Sequence, residues 1–335
     1  MSRVTSRDVA RAAGVSQSTV SRILNGRAPA LVTEQTRECV TRLARELDYA
    51  PNAAARQLRR RTARALGLIF PSAAHNVTAL FSFAQMFSGL AEVTEAAGYA
   101  LVLCPSTTAE RAVEMQRVGQ VDGALVILPL VDDPRVRGLL GTGAPLVLMN
   151  QVPDADGLNW VDFDNVGSSR EAVLHLVAGG HRRVGFIGWT GLVNTQLRLQ
   201  GYREALAAAG AEEDPALIQS VPEPMLYPQG TEAMRRLLSL PCPPTAVFCG
   251  SDLLAVGVLH AAHASGLHVP RDLAVIGYDD EPASAYLKPA LTTVRPPFRA
   301  KGRAAARMLI DLVEGHDTHP ASVLLEAEFV IRDSG

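Results

Sequence analysis

Residues 4–26 read VTSRDVARAAGVSQSTVSRILNG, and this stretch decides the fold of the N-terminal region. Thr5 is a good N-cap. Asp8 stands three residues later, close to a capping box, and puts an acid at the positive end of the helix dipole. Val9, Ala10 and Ala13 then share one helical face, and Gly14 follows where a left-handed residue ends a helix. Ser16 caps a second helix predicted to run to about Asn25–Gly26, with Val20, Ile23 and Leu24 as its inner stripe. Gln17, Ser18, Ser21 and Arg22 are left facing out, and small Ala10 and Ala13 let the two helices cross closely. Two short helices around a tight turn are the layout of a helix-turn-helix, which places its second helix in the major groove of DNA. Gln and Arg suit adenine and guanine edges, and Ser and Thr suit phosphate oxygens. Thr5, Ser16, Gln17, Ser18, Thr19, Ser21, Arg22 and Asn25 are therefore candidate DNA contacts. An ordinary solvated helix pair carries the same residue types, so spacing alone leaves both readings open.

The following residues move that balance. A third helix is predicted from Thr33, its cap, to Leu47, with Val40, Leu43, Ala44 and Leu47 as its apolar stripe. Then comes YAPNAAARQLRRR from Tyr49, where Asn52 can cap a short helix from Ala53 to about Arg59. Leu58 stands there among Arg56, Arg59, Arg60, Arg61 and Arg64. An apolar wedge among arginines is what a minor-groove intercalating element needs; a charged linker is the competing reading. Asn52, Ala55, Arg56, Leu58 and Arg59 join the candidate DNA contacts. Residues 1–64 hold 13 basic and 5 acidic side chains, net +8, whereas the remainder holds 19 basic and 29 acidic, net −10. Only the head has the electrostatic footprint of a polyanion binder.

A chain of 335 residues suggests two or three domains. Its four cysteines, Cys39, Cys104, Cys242 and Cys249, lack CxxC spacing and suggest no zinc site. No secretory signal precedes the head and no apolar run is long enough to span a bilayer, so a reduced, cytoplasmic protein without membrane contact is expected. No P-loop, GxGxxG fingerprint, nucleophile elbow or metal-binding cluster appears, so neither an enzyme nor a cofactor is expected. A sugar-binding transport protein would explain the body described next, but it needs export and has no use for a +8 head.

From Ala65 short apolar runs alternate with helical stretches. Predicted strands are ALGLIF (from Ala65), ALVLC (Ala100), GALVIL (Gly123) and PLVLMN (Pro145), then RVGFIG (Arg183), TAVFCG (Thr245), LAVIGYDD (Leu273) and LTTV (Leu291). Continuous apolar strands suit parallel sheets buried on both faces, and the rhythm recurs in both halves. The expected fold is an all-α helix-turn-helix head on an α/β body of two doubly wound parallel-sheet subdomains. Such a pair binds its ligand between the carboxyl ends of the strands. The candidates there are Phe70 and Ser72, Asn150, Ser251 with Asp252, and Asp279, joined by Arg198 from a helix of the second half. Asp accepts hydrogen bonds, Arg donates several and Asn does both, a set that suits sugar hydroxyls. Phe81, Phe83, Trp189 or Phe298 could stack on a sugar face. The competing roles are helix caps for Asp252 and Asp280 and core packing for the phenylalanines.

VTSRDVARAAGVSQSTVSR and TRECVTRLARELDYAPNAAARQL resemble the lactose/galactose repressor (LacI/GalR) family. VDFDNVGSSREAVLHLVAGGHRRVGFIG, RLQGYREAL, GSDLLAVGVL and IGYDDEPASAYLKPALTTVRPPF extend the resemblance over the whole chain. It implies that Gln17, Ser18 and Arg22 occupy base-reading positions and that Leu58 wedges into the central step of a palindromic operator. It implies a body of the periplasmic-binding-protein type, with Asn150, Arg198 and Asp279 on effector-contacting positions. Phe298 falls near one, and Phe81 with Phe83 falls where some members place stacking aromatics. The chain departs from the family at Ser251 (often Asn), Pro296 (often Gln) and Pro71 (often small and polar), which removes hydrogen-bonding groups from the pocket. The WTGLVNTQ loop has no Arg, which argues against a nucleobase. The domains implied are a head at 1–49, a hinge helix and linker at 50–63, and a body at 64–335. Within the body, one subdomain spans about 64–162 plus 294–321 and the other about 163–293 plus 322–335. With no leucine heptad tail after LEAEFVIRDSG, a homodimer is expected. The expected function is a transcriptional repressor whose ligand, a sugar or sugar derivative, weakens operator binding. The alternatives are a purine or other non-sugar effector, or a ligand acting as corepressor.

Overall fold

The computed structural model describes residues 4–24, 32–49, 62–70, 81–105, 108–152, 157–211, 213–222, 226–316 and 321–335. Asn25, Ser72 and the predicted hinge helix with Asn52, Ala55, Arg56, Leu58 and Arg59 lie outside the described residues. The chain divides into two compact units, residues 1–62 and 63–335.

In the first unit, α1 (Ser6–Ala13), α2 (Gln17–Leu24) and α3 (Glu34–Glu46) close on one small core. Val9, Ala10, Val20, Ile23, Val40 and Ala44 fill it, with Val15, Leu24, Val32, Leu47 and Tyr49 packed at its edge. Local chemistry sets the ends. The Asp8 carboxylate accepts from the Thr5 N–H at 2.9 Å and the Thr5 hydroxyl at 2.7 Å, and these bonds hold its pKa below the ordinary carboxylate value. Gly14 has φ 64°, where a Cβ would be strained, and turns the chain out of α1. Ser16 Oγ accepts from the Thr19 N–H at 3.1 Å, and Thr33 Oγ1 accepts from the Thr36 N–H at 3.2 Å.

The second unit carries strands β1 (Ala65–Phe70), β2 (Ala100–Pro105), β3 (Gly123–Val126), β4 (Leu146–Leu148), β5 (Asn159–Phe163) and β6 (Val184–Gly188). It continues with β7 (Ile218–Ser220), β8 (Ala246–Cys249), β9 (Ala274–Ile276), β10 (Thr293–Arg295), β11 (Ser322–Leu325) and β12 (Glu328–Val330). Its helices are α4 (Phe81–Ala97), α5 (Ala109–Arg117), α6 (Pro134–Leu140), α7 (Asn165–Ala178), α8 (Val193–Ala208), α9 (Tyr227–Leu238), α10 (Asp252–Ala264) and α11 (Phe298–Glu314).

One sheet has the order β11-β5-β4-β3-β1-β2 and the other β7-β6-β8-β9, with every neighbouring pair parallel. Parallel strands covered by helices on both faces must be apolar throughout, and β1, β3, β6 and β8 are buried at every residue. Side chains alternate between the faces. Leu66, Leu68 and Phe70 pack under α4 and α11, while Ala65 and Ile69 pack under α5 and α6. The second sheet is covered by α7 and α8 on one face and by α9 and α10 on the other. Helices α4 and α11 cross with backbones nearly touching: a Cβ at Gly89 would sit 2.1 Å from the Arg299 carbonyl oxygen, and one at Gly302 would sit 2.1 Å from that of Met86.

Strands β5, β7, β11 and β12 were not among the predicted ones. They have half-buried or exposed positions, and β7 and β11 are sheet edges, so their apolar runs are short or interrupted by polar residues. The partition of the C-terminus also differs from expectation. Residues 322–325 were expected in the second subdomain, but β11 pairs with β5 from Ser322↔Trp160 to Leu325↔Phe163 and completes the first sheet. The last crossing between subdomains follows Leu325, where β12 pairs antiparallel with β10.

Candidate functional site

The head presents one helix face outward. In α2 the inward stripe removes Val20 and Ile23 from solvent, which leaves Gln17, Ser18 and Arg22 exposed and Thr19 and Ser21 half-buried. Gln17 Nε2 donates to Ser6 Oγ at 2.7 Å, so α1 braces the amide. Ser16 Oγ lies 2.7 Å from Ser18 Oγ and 2.8 Å from Thr19 Oγ1, a hydroxyl cluster at the start of α2. Thr5 is exposed but engaged with Asp8. An exposed helix carrying amide, hydroxyl and guanidinium groups can read base edges and phosphates.

In the second unit the carboxyl ends of the two sheets face each other. Leu130, after β3, bridges to Leu192, after β6; Val131 N–H donates to the Gly191 carbonyl at 3.1 Å and Val193 N–H to that of Pro129 at 3.3 Å. On the other side of the cleft, Glu281 reaches from the loop after β9 to the start of α4. Its carboxylate accepts from the N–H groups of Phe81 at 3.2 Å and Ser82 at 3.3 Å.

Between these contacts lies a buried polar chain. Arg198 stacks on the Tyr278 ring with its guanidinium carbon 3.5 Å from the centroid. Its Nε donates to Asn165 Oδ1 at 3.1 Å, its Nη1 to the Gly250 carbonyl at 2.6 Å, and its Nη2 lies 3.6 Å from Asp279 Oδ1. Asp279 has φ 113°, a left-handed backbone forced where the β9 strand turns sharply. Burial pushes its pKa up to about 8, against the pull of Arg198. Asn165 Nδ2 donates to Asp162 Oδ2 at 3.1 Å, and Asp162 Oδ1 accepts from Lys301 Nζ at 2.8 Å. Asn150, just after β4, is 4% exposed, and its Oδ1 has no hydrogen-bond partner among the described residues. Asn194 Oδ1 and Thr195 Oγ1, at the start of α8, are likewise without one among them. Buried polar atoms left unpaired cost stability unless a ligand or water satisfies them.

The structure thus brings Arg198 and Asp279 together, and Asn150 follows β4 at the carboxyl end of the first sheet. Phe298 is half-buried at the start of α11, edge-on to Phe163 with centroids 5.1 Å apart, and Phe81 is exposed at the start of α4. Four further candidates do internal work. Phe70 and Phe83 pack on each other in the first core, centroids 6.0 Å apart, because alternation turns Phe70 under α4. Ser251 caps α10, its Oγ accepting from the Leu254 N–H at 3.3 Å. Asp252 is 1% exposed and braces the loop around it: Oδ1 accepts from Thr293 Oγ1 at 2.6 Å, Oδ2 from Ser284 Oγ at 2.6 Å and from the Glu281 N–H at 2.8 Å. Burial raises its pKa to about 7 despite these donors. Asp162, Asn165, Glu281, Asn194, Thr195 and Lys301 were not singled out from the sequence. The rule that ligands meet strand carboxyl ends covers Asp162 at the carboxyl end of β5 and Asn194 after β6, but β5 is not among the predicted strands.

Among the described residues no group of three or more His, Cys, Asp or Glu could hold a metal ion, and no helix is long and apolar enough to cross a membrane.

Residues 5–52 match the model of the bacterial regulatory proteins, lacI family, and residues 173–335 match the periplasmic binding protein-like domain. The chain is 37% identical over 337 residues to the HTH-type transcriptional regulator CelR of Thermobifida fusca, covering 98% of this chain and 97% of that protein. It is 34% identical over 339 residues to the HTH-type transcriptional repressor CytR of Escherichia coli (strain K12), covering 98% and 96%. Among solved structures, a CelR–cellobiose complex is similar at TM-score 0.78 and 35% identity, covering 99% of this chain and 100% of that one. The Lac repressor dimer bound to operator and the anti-inducer ONPF is similar at TM-score 0.88 and 29% identity, covering 99% of each.

Proposed function

The chain belongs to the lacI family of bacterial regulatory proteins and is a DNA-binding transcriptional regulator; we propose that it is a cytoplasmic repressor, without enzymatic activity, controlled by a sugar or sugar derivative. Two heads of a homodimer read the half-sites of a near-palindromic operator, since protein two-fold symmetry is mirrored in the site. Gln17, Ser18 and Arg22 read base edges, while Ser16 and Thr19 hold phosphates. Leu58, outside the described residues, wedges into the central step from the minor groove. The effector sits between the two sheets against Asn150, Arg198 and Asp279. Ligand weakens operator binding by favouring one arrangement of the subdomains, which requires different affinities for the two states.

The observation that carries this reading is the pairing of an outward-facing polar α2 with buried, unpartnered polar atoms at the carboxyl ends of both sheets. The test is fluorescence anisotropy on a duplex selected from a random pool, at two salt concentrations, with and without a sugar panel that includes cellobiose. Salt-sensitive, sequence-selective binding that a sugar weakens is expected. Absence of binding at low salt would refute the DNA-reading role of the head. Leu58→Ala is expected to weaken operator binding while leaving sugar affinity unchanged; equal operator affinity removes the wedge.

A further inference from the structure

Lys301 is a cation in the protein interior. It lies on α11, 3% exposed, with Nζ 2.8 Å from Asp162 Oδ1 and 4.3 Å from the centre of the Phe163 ring. Asp162, fully buried, spends its carboxylate completely: Oδ1 also accepts from the Phe163 N–H at 2.8 Å, and Oδ2 accepts from the Gln151 N–H at 2.9 Å and from Asn165 Nδ2 at 3.1 Å. Elsewhere α11 packs on the first sheet through apolar side chains. A buried pair of this kind gives little net stability over apolar residues of the same volume, but it fixes geometry.

What the pair fixes lies on the far side of the chain crossing. Asp162 ends β5 in the first sheet, whereas Asn165 opens α7 over the second sheet. Asn165 donates Nδ2 to Asp162 and to the Phe163 carbonyl at 3.2 Å, which turns Oδ1 toward Arg198 Nε, 3.1 Å away, and toward the Tyr278 hydroxyl, 3.4 Å away. An Asn amide has one acceptor end, so its two acceptors, of which the carboxylate is the charged one, set which way it faces. We propose that Lys301 and Asp162 are positioning residues for effector recognition, a pair on the first subdomain that orients the Arg198 guanidinium on the second through the Asn165 amide. The inference rests on the cleft being the effector site. It also makes α11 and the Arg198 end of the cleft parts of one hydrogen-bonded unit. Lys301 further acts on Asp279, whose pKa it pulls down as Arg198 does, while Asp252 and Glu281 push it up.

The experiment compares Lys301→Met and Lys301→Arg with the parent in the full chain. The Arg198 Nε–H signal in nitrogen-15-resolved spectra, assigned by its loss in Arg198→Lys, reports on the hydrogen bond to Asn165 without any ligand. It should be protected from solvent exchange in the parent, exchange at least tenfold faster in Lys301→Met, and be restored in Lys301→Arg. Unchanged exchange in Lys301→Met overturns the proposal. Should Lys301→Met fail to fold, Lys301→Met/Asp162→Leu removes both charges and the side-chain acceptor of Asn165 Nδ2, and must still loosen the Arg198 signal. Calorimetry with cellobiose forms the second arm. If the parent binds it, Lys301→Met should weaken it at least tenfold and Lys301→Arg less than threefold; equal affinity in Lys301→Met also overturns the proposal. If no sugar of the wider panel binds the parent, the sugar reading of the cleft fails, and the exchange result alone decides the role of Lys301.

Discussion

Replacing Asp252 by Asn should make the protein more stable at pH 8, although it removes a carboxylate with three donors on it. In the parent, burial raises the pKa of Asp252 from an ordinary 3.8 to about 7. A carboxyl with a raised folded pKa holds a proton in the native state that the unfolded chain has released, so stability falls as pH rises through that window. The fall begins near pH 4, where the unfolded carboxyl ionises, and is complete above pH 7. At 1.36 kcal/mol per pKa unit it amounts to about 4 kcal/mol. Asn at position 252 resembles the protonated acid. Its carbonyl can take the place of Oδ2 under Ser284 Oγ and the Glu281 N–H, and its amide can donate to Thr293 Oγ1, which then turns its own proton toward the Val294 carbonyl, 3.5 Å away. Asp252→Asn should therefore match the parent at about pH 3, below the pKa of the unfolded carboxyl, where Asp252 is protonated in both states. It should exceed the parent at pH 8 by an appreciable part of those about 4 kcal/mol. Asp279, raised in part by the Asp252 charge, is relieved by the same substitution, so its residual slope is shallower in the variant. Urea denaturation of the body at both pH values measures this. A variant less stable than the parent at pH 8 would mean that the three donors outweigh burial, and the account of Asp252 would be refuted.

The remaining predictions concern the head and the cleft. Ser16→Ala removes the acceptor of the Thr19 N–H and should destabilise the head by about 1 kcal/mol, seen as a lower melting transition of that unit; an unchanged transition would remove Ser16 as the cap. Gln17→Ala and Arg22→Ala should each weaken operator binding by about 1–3 kcal/mol and relax selection at one base pair per half-site; a loss uniform over all sequences would reassign the residue to phosphate contact. Glu281→Ala leaves the Phe81 and Ser82 N–H groups without their acceptor and should speed hydrogen exchange there; unaltered protection would show that α4 does not depend on the contact.

The helix ends of the head were legible because caps are local: Thr5, Gly14, Ser16 and Thr33 each act within three residues of themselves. The central strands were legible because double-sided burial writes a continuous apolar run. NWVDF is broken by Asp162 and SVLL holds only three apolar residues at a sheet edge, a signal too short to mark β5 and β11 as strands. In the cleft, the strand-end rule led to Asn150, Asp252 and Asp279 alike, but spacing does not tell a carboxylate that faces a ligand from one consumed by Ser284 and Thr293. Lys301 and Asp162 stand 139 residues apart, and only the folded chain puts them together.

Asp279 holds its carboxylate toward Arg198 from a backbone with φ 113°, which few L-residues adopt without strain. With Asp279 in the effector site proposed above, this narrows how the protein can change its ligand over evolutionary time. A single nucleotide change from an Asp codon reaches Asn and Gly, the two other residues at ease in such a backbone, and also Glu, Val, Ala, His and Tyr, most of which are not. Drift at this position is thus channelled toward an amide or no side chain at all. In the effector site proposed above, a new ligand has to be accommodated at Asn150, Asn194 and Thr195 before it can be accommodated here.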